Sequence, residues 1–202
     1  RVSSLPVPPG APTPAAVAAL SGPLTAALTG SGPPIHPYDA SAPRHLPAYD
    51  EDDLPRGLAV VVGTSGSTGT PKLAMLTATA LTAAADATSA RLGGPGDWLL
   101  ALPPQHIAGL QVLARALRWG TRVVPLAPDA RPATGGHGFT ARAFVQATER
   151  LRQGGAGRTY TSLVPTQLAR LLADPGRDAD GPDRATILQA LTNPDAVLVG
   201  GA

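Results

Sequence analysis

The densest chemistry in the chain lies in one stretch, Gly63-Thr64-Ser65-Gly66-Ser67-Thr68-Gly69-Thr70-Pro71-Lys72. Its glycines let a backbone turn sharply and aim successive N–H groups at one point. The hydroxyls of Thr64, Ser65, Ser67, Thr68 and Thr70 add donors, and Lys72 adds a mobile positive charge. Those are the needs of a polyphosphate. A Gly/Ser linker is the plain alternative; it is disfavoured because a strand leads into the stretch and Pro-Lys closes it. The mononucleotide P-loop, G-x-x-x-x-G-K-[ST], does not fit. The position its second glycine requires is Thr68 when counted from Gly63 and Pro71 when counted from Gly66, and Leu73 follows Lys72.

Three further side chains are candidates. His106 follows Pro103-Pro104 at the end of a strand, where a site histidine and a solvated loop histidine are equally reasonable. Arg115 lies roughly 140° from Leu110 at ~100° per residue, off the apolar face of its helix, so a solvated arginine is the plain reading. His106 and Arg115 reach one pocket only if His106 precedes the helix, which the two prolines permit. Ser162 sits within a strand, where an inward hydroxyl either satisfies the backbone or lines a pocket. His137 falls in a glycine-rich loop and reads as exposed. His36 and His45 fall in a proline-rich stretch and read as surface residues. Asp50, Asp52 and Asp53 read as a solvated charge run, and no metal ligands are assigned.

The composition narrows the classes. The 202 residues contain no cysteine, which excludes disulfide scaffolds, thiolate metal sites and cysteine nucleophiles. A net charge of +2 is too weak a field to argue for nucleic acid or a membrane surface. No apolar run approaches the ~20 residues of a membrane span, and a secretory leader is not expected. The expectation is a cytoplasmic protein with small-molecule partners, its oligomeric state open. Lys72 is the only lysine, which sets it apart in a chain whose other basic residues are all arginine.

Stepping outward from these residues, the chain reads as alternating strands and helices. Strands are expected at residues 58–62, 98–102, 122–126, 159–164 and 196–199. Helices are expected at 15–28, 77–92 (capped by Thr77 and closed by Gly93), 107–119 (followed by Gly120), 140–153 (capped by Thr140), 165–172 (opened by Pro165) and 185–191. The pattern is that of an α/β fold: an open, mostly parallel sheet with helices on both faces. Residues 1–57 are expected to form a Pro-rich region with one helix, and residues 58–202 an incomplete α/β domain. The last residues, Gly200-Gly201-Ala202, follow a strand at the edge where such folds bind ligands, so a piece of a longer protein is expected.

The stretch at 63–72 resembles the phosphate-binding motif of the adenylate-forming superfamily: the acyl-CoA synthetases, luciferases and peptide-synthetase adenylation domains. Two other segments agree. Leu102-Pro103-Pro104-Gln105-His106-Ile107-Ala108-Gly109-Leu110 resembles its second motif, a proline-led turn with a histidine. Val197-Leu198-Val199-Gly200-Gly201-Ala202 is similar to the start of the segment that holds the adenine. Within the superfamily, Thr161-Ser162-Leu163-Val164-Pro165-Thr166-Gln167-Leu168 is similar to a segment particular to the o-succinylbenzoate–CoA ligases of menaquinone biosynthesis.

The resemblance spans residues 58–202. It implies the large N-terminal domain of an adenylate-forming enzyme, AMP-binding, acting with ATP, Mg²⁺ and coenzyme A. It implies that Thr64, Ser65, Gly66, Ser67, Thr68, Gly69, Thr70 and Lys72 hold the phosphates, and that Gly200, Gly201 and Ala202 contact the adenylate. His106 would sit near the reacting carboxylate or the ribose side and help shape the catalytic pocket. Arg115 would help bind the substrate's succinyl carboxylate, and Ser162 would line the same pocket. The superfamily's later acidic residue for Mg²⁺, its ribose-binding aspartate and its C-terminal domain with a catalytic lysine have no counterpart in these residues, so the chain alone is expected to be inactive. Two other readings stay open: an acyl- or amino-acid-adenylating domain of another kind, and a non-catalytic nucleotide-binding fragment.

Overall fold

The structure, a computed structural model, describes residues 1–10, 12–41, 53–64, 72–126, 139–154, 157–173 and 181–200. Eight strands are described: β1 (Ser3–Val7), β2 (Ile35–Asp39), β3 (Leu58–Thr64), β4 (Lys72–Thr77), β5 (Gly96–Leu100), β6 (Val123–Pro125), β7 (Arg158–Leu163) and β8 (Ala196–Val199). Six helices accompany them: α1 (Pro14–Thr29), α2 (Ala78–Leu92), α3 (Ile107–Trp119), α4 (Ala141–Arg152), α5 (Pro165–Leu172) and α6 (Arg184–Thr192).

The helix boundaries follow local chemistry. The hydroxyls of Thr13, Thr77 and Thr140 accept the N–H groups of Ala16, Ala80 and Ala143 at 3.1, 3.2 and 3.1 Å, capping α1, α2 and α4. Gly93 and Gly120 end α2 and α3 with φ of 82° and 63°, a left-handed conformation that glycine adopts without penalty. Pro165 opens α5, where its missing N–H costs nothing. Pro23 lies inside α1 and removes one helical hydrogen bond. The buried stripe of Ala16, Leu20, Leu24 and Ala27 holds that helix regardless.

The expected α/β class is found, with mostly parallel strands, but the strands form two sheets. The first has the order β1-β2-β3-β4, with β3 and β4 antiparallel; the second has the order β6-β5-β7-β8 and is parallel throughout. The reason is legible in α3. Leu110, Leu113 and Ala114 pack with Val60 and Val62 of the first sheet, while Val112 and Ala116 pack with Trp98, Leu100 and Tyr160 of the second. A helix apolar on two sides needs a layer on each. The helices α1–α3 thus lie between the sheets. The far face of the second sheet, Leu99, Ala101, Val124 and Leu163, is covered by Phe144, Ala147 and Leu151 of α4, Leu171 of α5 and Ile187 of α6.

Among the described residues before 58, the chain forms two strands and a helix despite its prolines. β1 and β2 pair in parallel, β2 continues into β3, and α1 shares its core with α2 and α3. Among the described residues, packing continues from β2 and α1 into β3. Proline is tolerated here because β1 is an edge strand, and because β2 meets β3 only at Ile35↔Val60, leaving Pro37 beyond that pairing. His36, read from sequence as a surface residue, is buried at 6% exposure, with Nδ1 lacking a partner. His45, Asp50, Asp52 and His137 lie outside the described residues; Asp53 is exposed.

Candidate active site

The second sheet is a set of parallel strands, so its carboxyl edge is where backbone ends converge and ligands fit. β5 runs through the buried Ala101 and Leu102 into the proline-led turn. There the N–H of His106 donates to the carbonyl of Pro103 at 3.1 Å. His106 is the N-cap of α3, with extended backbone at φ −103° and ψ 153°. Its side chain makes no capping bond and is exposed, so the imidazole is available to a ligand at the head of the helix. Gly109 makes this turn possible. A Cβ there would lie 2.3 Å from the carbonyl oxygen of Pro103 and 2.6 Å from that of Leu102. Only a residue without one lets α3 lie so close to the strand end.

The neighbouring strands complete the edge. Ser162 of β7 is 8% exposed and stands in register with Leu198 of β8. It follows Tyr160 by two residues, which puts both on the face that α3 covers. Gly200 follows β8, and its N–H donates to the carbonyl of Leu163 at 3.2 Å, so the end of β8 stays beside the end of β7. Gln167 is a residue whose role the sequence did not reveal. Its Nε2 donates to the carbonyl of Ala101 at 2.9 Å and its Oε1 accepts the N–H of Val164 at 3.1 Å. Buried at the start of α5, it ties the ends of β5 and β7 together. Its position two residues after an opening proline was the available signal, half of a capping box. Gln105 is also buried, and its Oε1 has no partner among the described residues.

Arg115 stands nine residues beyond His106, which is about 13 Å along the axis of α3 at ~1.5 Å per residue. It is not a solvated arginine. The sequence geometry gave α3 one core face, whereas it has two, and Arg115 borders the second. Its guanidinium lies 5.3 Å from the centre of the Trp98 ring, and its Nη2 donates to Gln111 Oε1 at 2.9 Å. Nε is buried with no partner among the described residues, and burial lowers the side chain's pKa. The crevice beside it has a volume of about 10 Å³ and includes Trp98, Tyr160 and Gly96, room for about one water. His106, Ser162 and Arg115 therefore occupy the head, side and foot of one α3–sheet contact and do not touch each other. A separate cavity of about 150 Å³ between α1, α2 and α3, lined by Leu28, Leu81 and Leu117, holds none of these residues.

Residues 65–71 of the phosphate-loop motif, and Gly201 and Ala202, lie outside the described residues, as do the side chains of Thr64 and Lys72. The backbone on either side of the motif is described. Thr64 pairs with Lys72 and Gly63 with Leu73. The motif therefore joins two antiparallel strands. The sequence reading assigns no element to residues 71–76, between the motif and the helix that Thr77 caps; the structure places β4 there. β4 escapes the sequence because Leu73-Ala74-Met75-Leu76 favours helix by local preference; its pairing with β3 overrides that preference.

A match to the AMP-binding enzyme family covers residues 18–202, and the chain belongs to that family. The fold agrees with the N-terminal part of an adenylate-forming enzyme. It superposes on Escherichia coli MenE, solved with a bound m-phenylether-linked analogue of OSB-AMS, with a TM-score of 0.57 at 24% identity over 100% of this chain and 44% of that one. Among curated relatives, the chain is 50% identical over 151 residues to the probable 2-succinylbenzoate–CoA ligase of Mycobacterium tuberculosis, covering 75% of this chain and 33% of that protein. It is also 37% identical over 142 residues to the sulfoacetate–CoA ligase of Cupriavidus necator, covering 68% of this chain and 24% of that protein. The chain spans about a third or less of the length of these relatives.

Proposed function

We propose that the full-length protein is an ATP-dependent acid–thiol ligase that converts 2-succinylbenzoate (o-succinylbenzoate) to its coenzyme A thioester in menaquinone biosynthesis. The observation that carries this reading is Arg115, a half-buried guanidinium with no carboxylate partner among the described residues, at the foot of the helix that His106 heads. An acid with two carboxylates uses both ends. The 50% identity to a probable 2-succinylbenzoate–CoA ligase supports the same choice.

In this reading a carboxylate oxygen of the acid attacks the α-phosphorus of ATP. A P–O bond forms, the bond to pyrophosphate breaks, and an acyl-adenylate remains. The thiol of coenzyme A then attacks the acyl carbonyl; a C–S bond forms, AMP leaves, and the thiol proton passes to solvent. Thr64, Ser65, Gly66, Ser67, Thr68, Gly69, Thr70 and Lys72 hold the β- and γ-phosphates in the first step, where fixed donors offset developing charge. His106 borders the reacting carboxylate. Gly200, Gly201 and Ala202 contact the adenylate. Ser162 lines the acid pocket, and Arg115 takes the carboxylate that does not react. Mg²⁺ accompanying the nucleotide would lower the charge on its phosphates; among the described residues no group of three or more His, Asp or Glu gathers to hold a metal, so it is assigned no ligand here. Among the described residues no helix is long and apolar enough to cross a membrane, and a cytoplasmic enzyme is the reading we adopt.

The likeness to a sulfoacetate–CoA ligase favours a second reading, a ligase for a short diacid. Sulfoacetate carries its carboxylate and sulfonate on one methylene, so it is a much shorter acid than 2-succinylbenzoate. Purified full-length protein should exchange pyrophosphate into ATP when 2-succinylbenzoate is added. Exchange supported by short diacids or by fatty and aromatic monoacids, and not by 2-succinylbenzoate, would overturn the assignment. The 202-residue chain alone should give no thioester.

A further inference from the structure

Among the described residues, Arg115 is held but meets no carboxylate. A guanidinium kept from water without a counter-charge is costly, and its lowered pKa expresses that cost. Two neighbours fix its direction. Gln111, one turn earlier on α3, accepts one Nη2 hydrogen at 2.9 Å. Trp98 supplies a ring 5.3 Å away. That ring is itself braced: Tyr160 packs on it at 5.1 Å between centroids, and the Tyr160 hydroxyl lies within hydrogen-bonding distance of the carbonyls of Leu92 and Gly94, at 3.2 and 3.0 Å. The platform is thus anchored to the turn between α2 and β5. A glutamate at position 111 would pair with Arg115 and cancel its charge. The amide orients the group and leaves the charge intact, with the buried Nε–H still unpartnered.

We infer that Gln111 and Trp98 are positioning residues that aim Arg115 at the second anionic group of an elongated dianionic acid, an inference that rests on the ligase reading above. Gln111 sets how strongly that anion is felt, because it decides whether the guanidinium arrives neutralised or free. Trp98 sets where the guanidinium points, since a cation settles over a ring face.

Steady-state kinetics of the full-length protein test this. Gln111→Glu keeps the side-chain size and should raise the KM for 2-succinylbenzoate by about a hundredfold, as Arg115→Ala does, while the KM for ATP moves less than about twofold. Gln111→Met should raise the former by roughly tenfold, and Trp98→Leu by about fivefold. The monocarboxylic analogue lacking the non-reacting carboxylate should sense none of these changes. Adding Gln111→Glu to Arg115→Ala should produce no further rise. The inference is overturned if Arg115→Ala raises the KM for the diacid and Gln111→Glu does not, or if the analogue suffers as much as the diacid. An Arg115→Ala protein with unchanged KM for the diacid would overturn the ligase reading of Arg115 itself, a different outcome from either of those.

Discussion

The two sheets face the same layer of helices but follow different rules. The second sheet is parallel throughout, and its carboxyl edge is stitched by buried polar groups: Gln167 between β5 and β7, and Thr161, whose hydroxyl donates to the carbonyl of Leu99 at 3.3 Å. The first sheet packs on the helices through Val7, Ile35, Val60 and Val62, and its last pair turns antiparallel around the phosphate-loop motif. The second sheet fixes the side chains to which the proposed reading assigns the acid. The first presents a loop motif from a hairpin. In the proposed reading, substrate selection and phosphate handling lie on different scaffolds, joined by α3.

The strongest break in this comparison falls on the joint. Gly109→Val should destabilise the protein by about 3 kcal/mol, because the new side chain meets the carbonyls of Pro103 and Leu102; a shifted denaturant midpoint would show it, and an unchanged midpoint would mean α3 does not depend on that close approach. Next is Arg115→Ala. It should cost about 2.7 kcal/mol in kcat/KM for 2-succinylbenzoate with little change in melting temperature, since it touches chemistry read by the second sheet and leaves both apolar faces of α3 intact. Gln167→Leu strands the N–H of Val164 and the carbonyl of Ala101. Equilibrium unfolding should show a loss of about 2 kcal/mol, and hydrogen exchange should quicken at Val164 ahead of β3.

The smallest effect belongs to the first sheet and depends on pH. Burial holds the pKa of His36 below 6.5. Below that value the unfolded chain takes up a proton that the native state resists, so stability falls as pH drops and is fully present above it. Melting temperature should decline between pH 7 and pH 5, and His36→Phe should flatten that part of the profile. A wild-type curve already flat there would remove His36 from the account.

The same contrast explains what could be read in advance. Strands β5, β7 and β8 and the helices between them announce themselves, because each obeys a local rule: an apolar run, a threonine cap, a closing glycine. β1, β2 and β4 do not. Pro6 and Pro37 argue against strands unless the edge position and the limit of pairing are known, and the residues of β4 prefer a helix until β3 pairs with them. The burial of His36 depends on β2 lying inside a sheet, a long-range fact. In the candidate site, the exposed His106 at the head of α3 was legible from its prolines. The environment of Arg115 was not, because one helical wheel read alone cannot reveal that a second layer will cover its other side.

A helix clamped between two layers can neither slide nor tilt easily, and in the proposed reading that makes α3 a ruler for acids. Its graduations are about 1.5 Å apart. Gln111 occupies the mark one turn nearer the head, so moving the positive charge from 115 to 111 should shift the preferred acid to one about 6 Å shorter. Changes in chain length would then need one exchanged side chain and no movement of the frame.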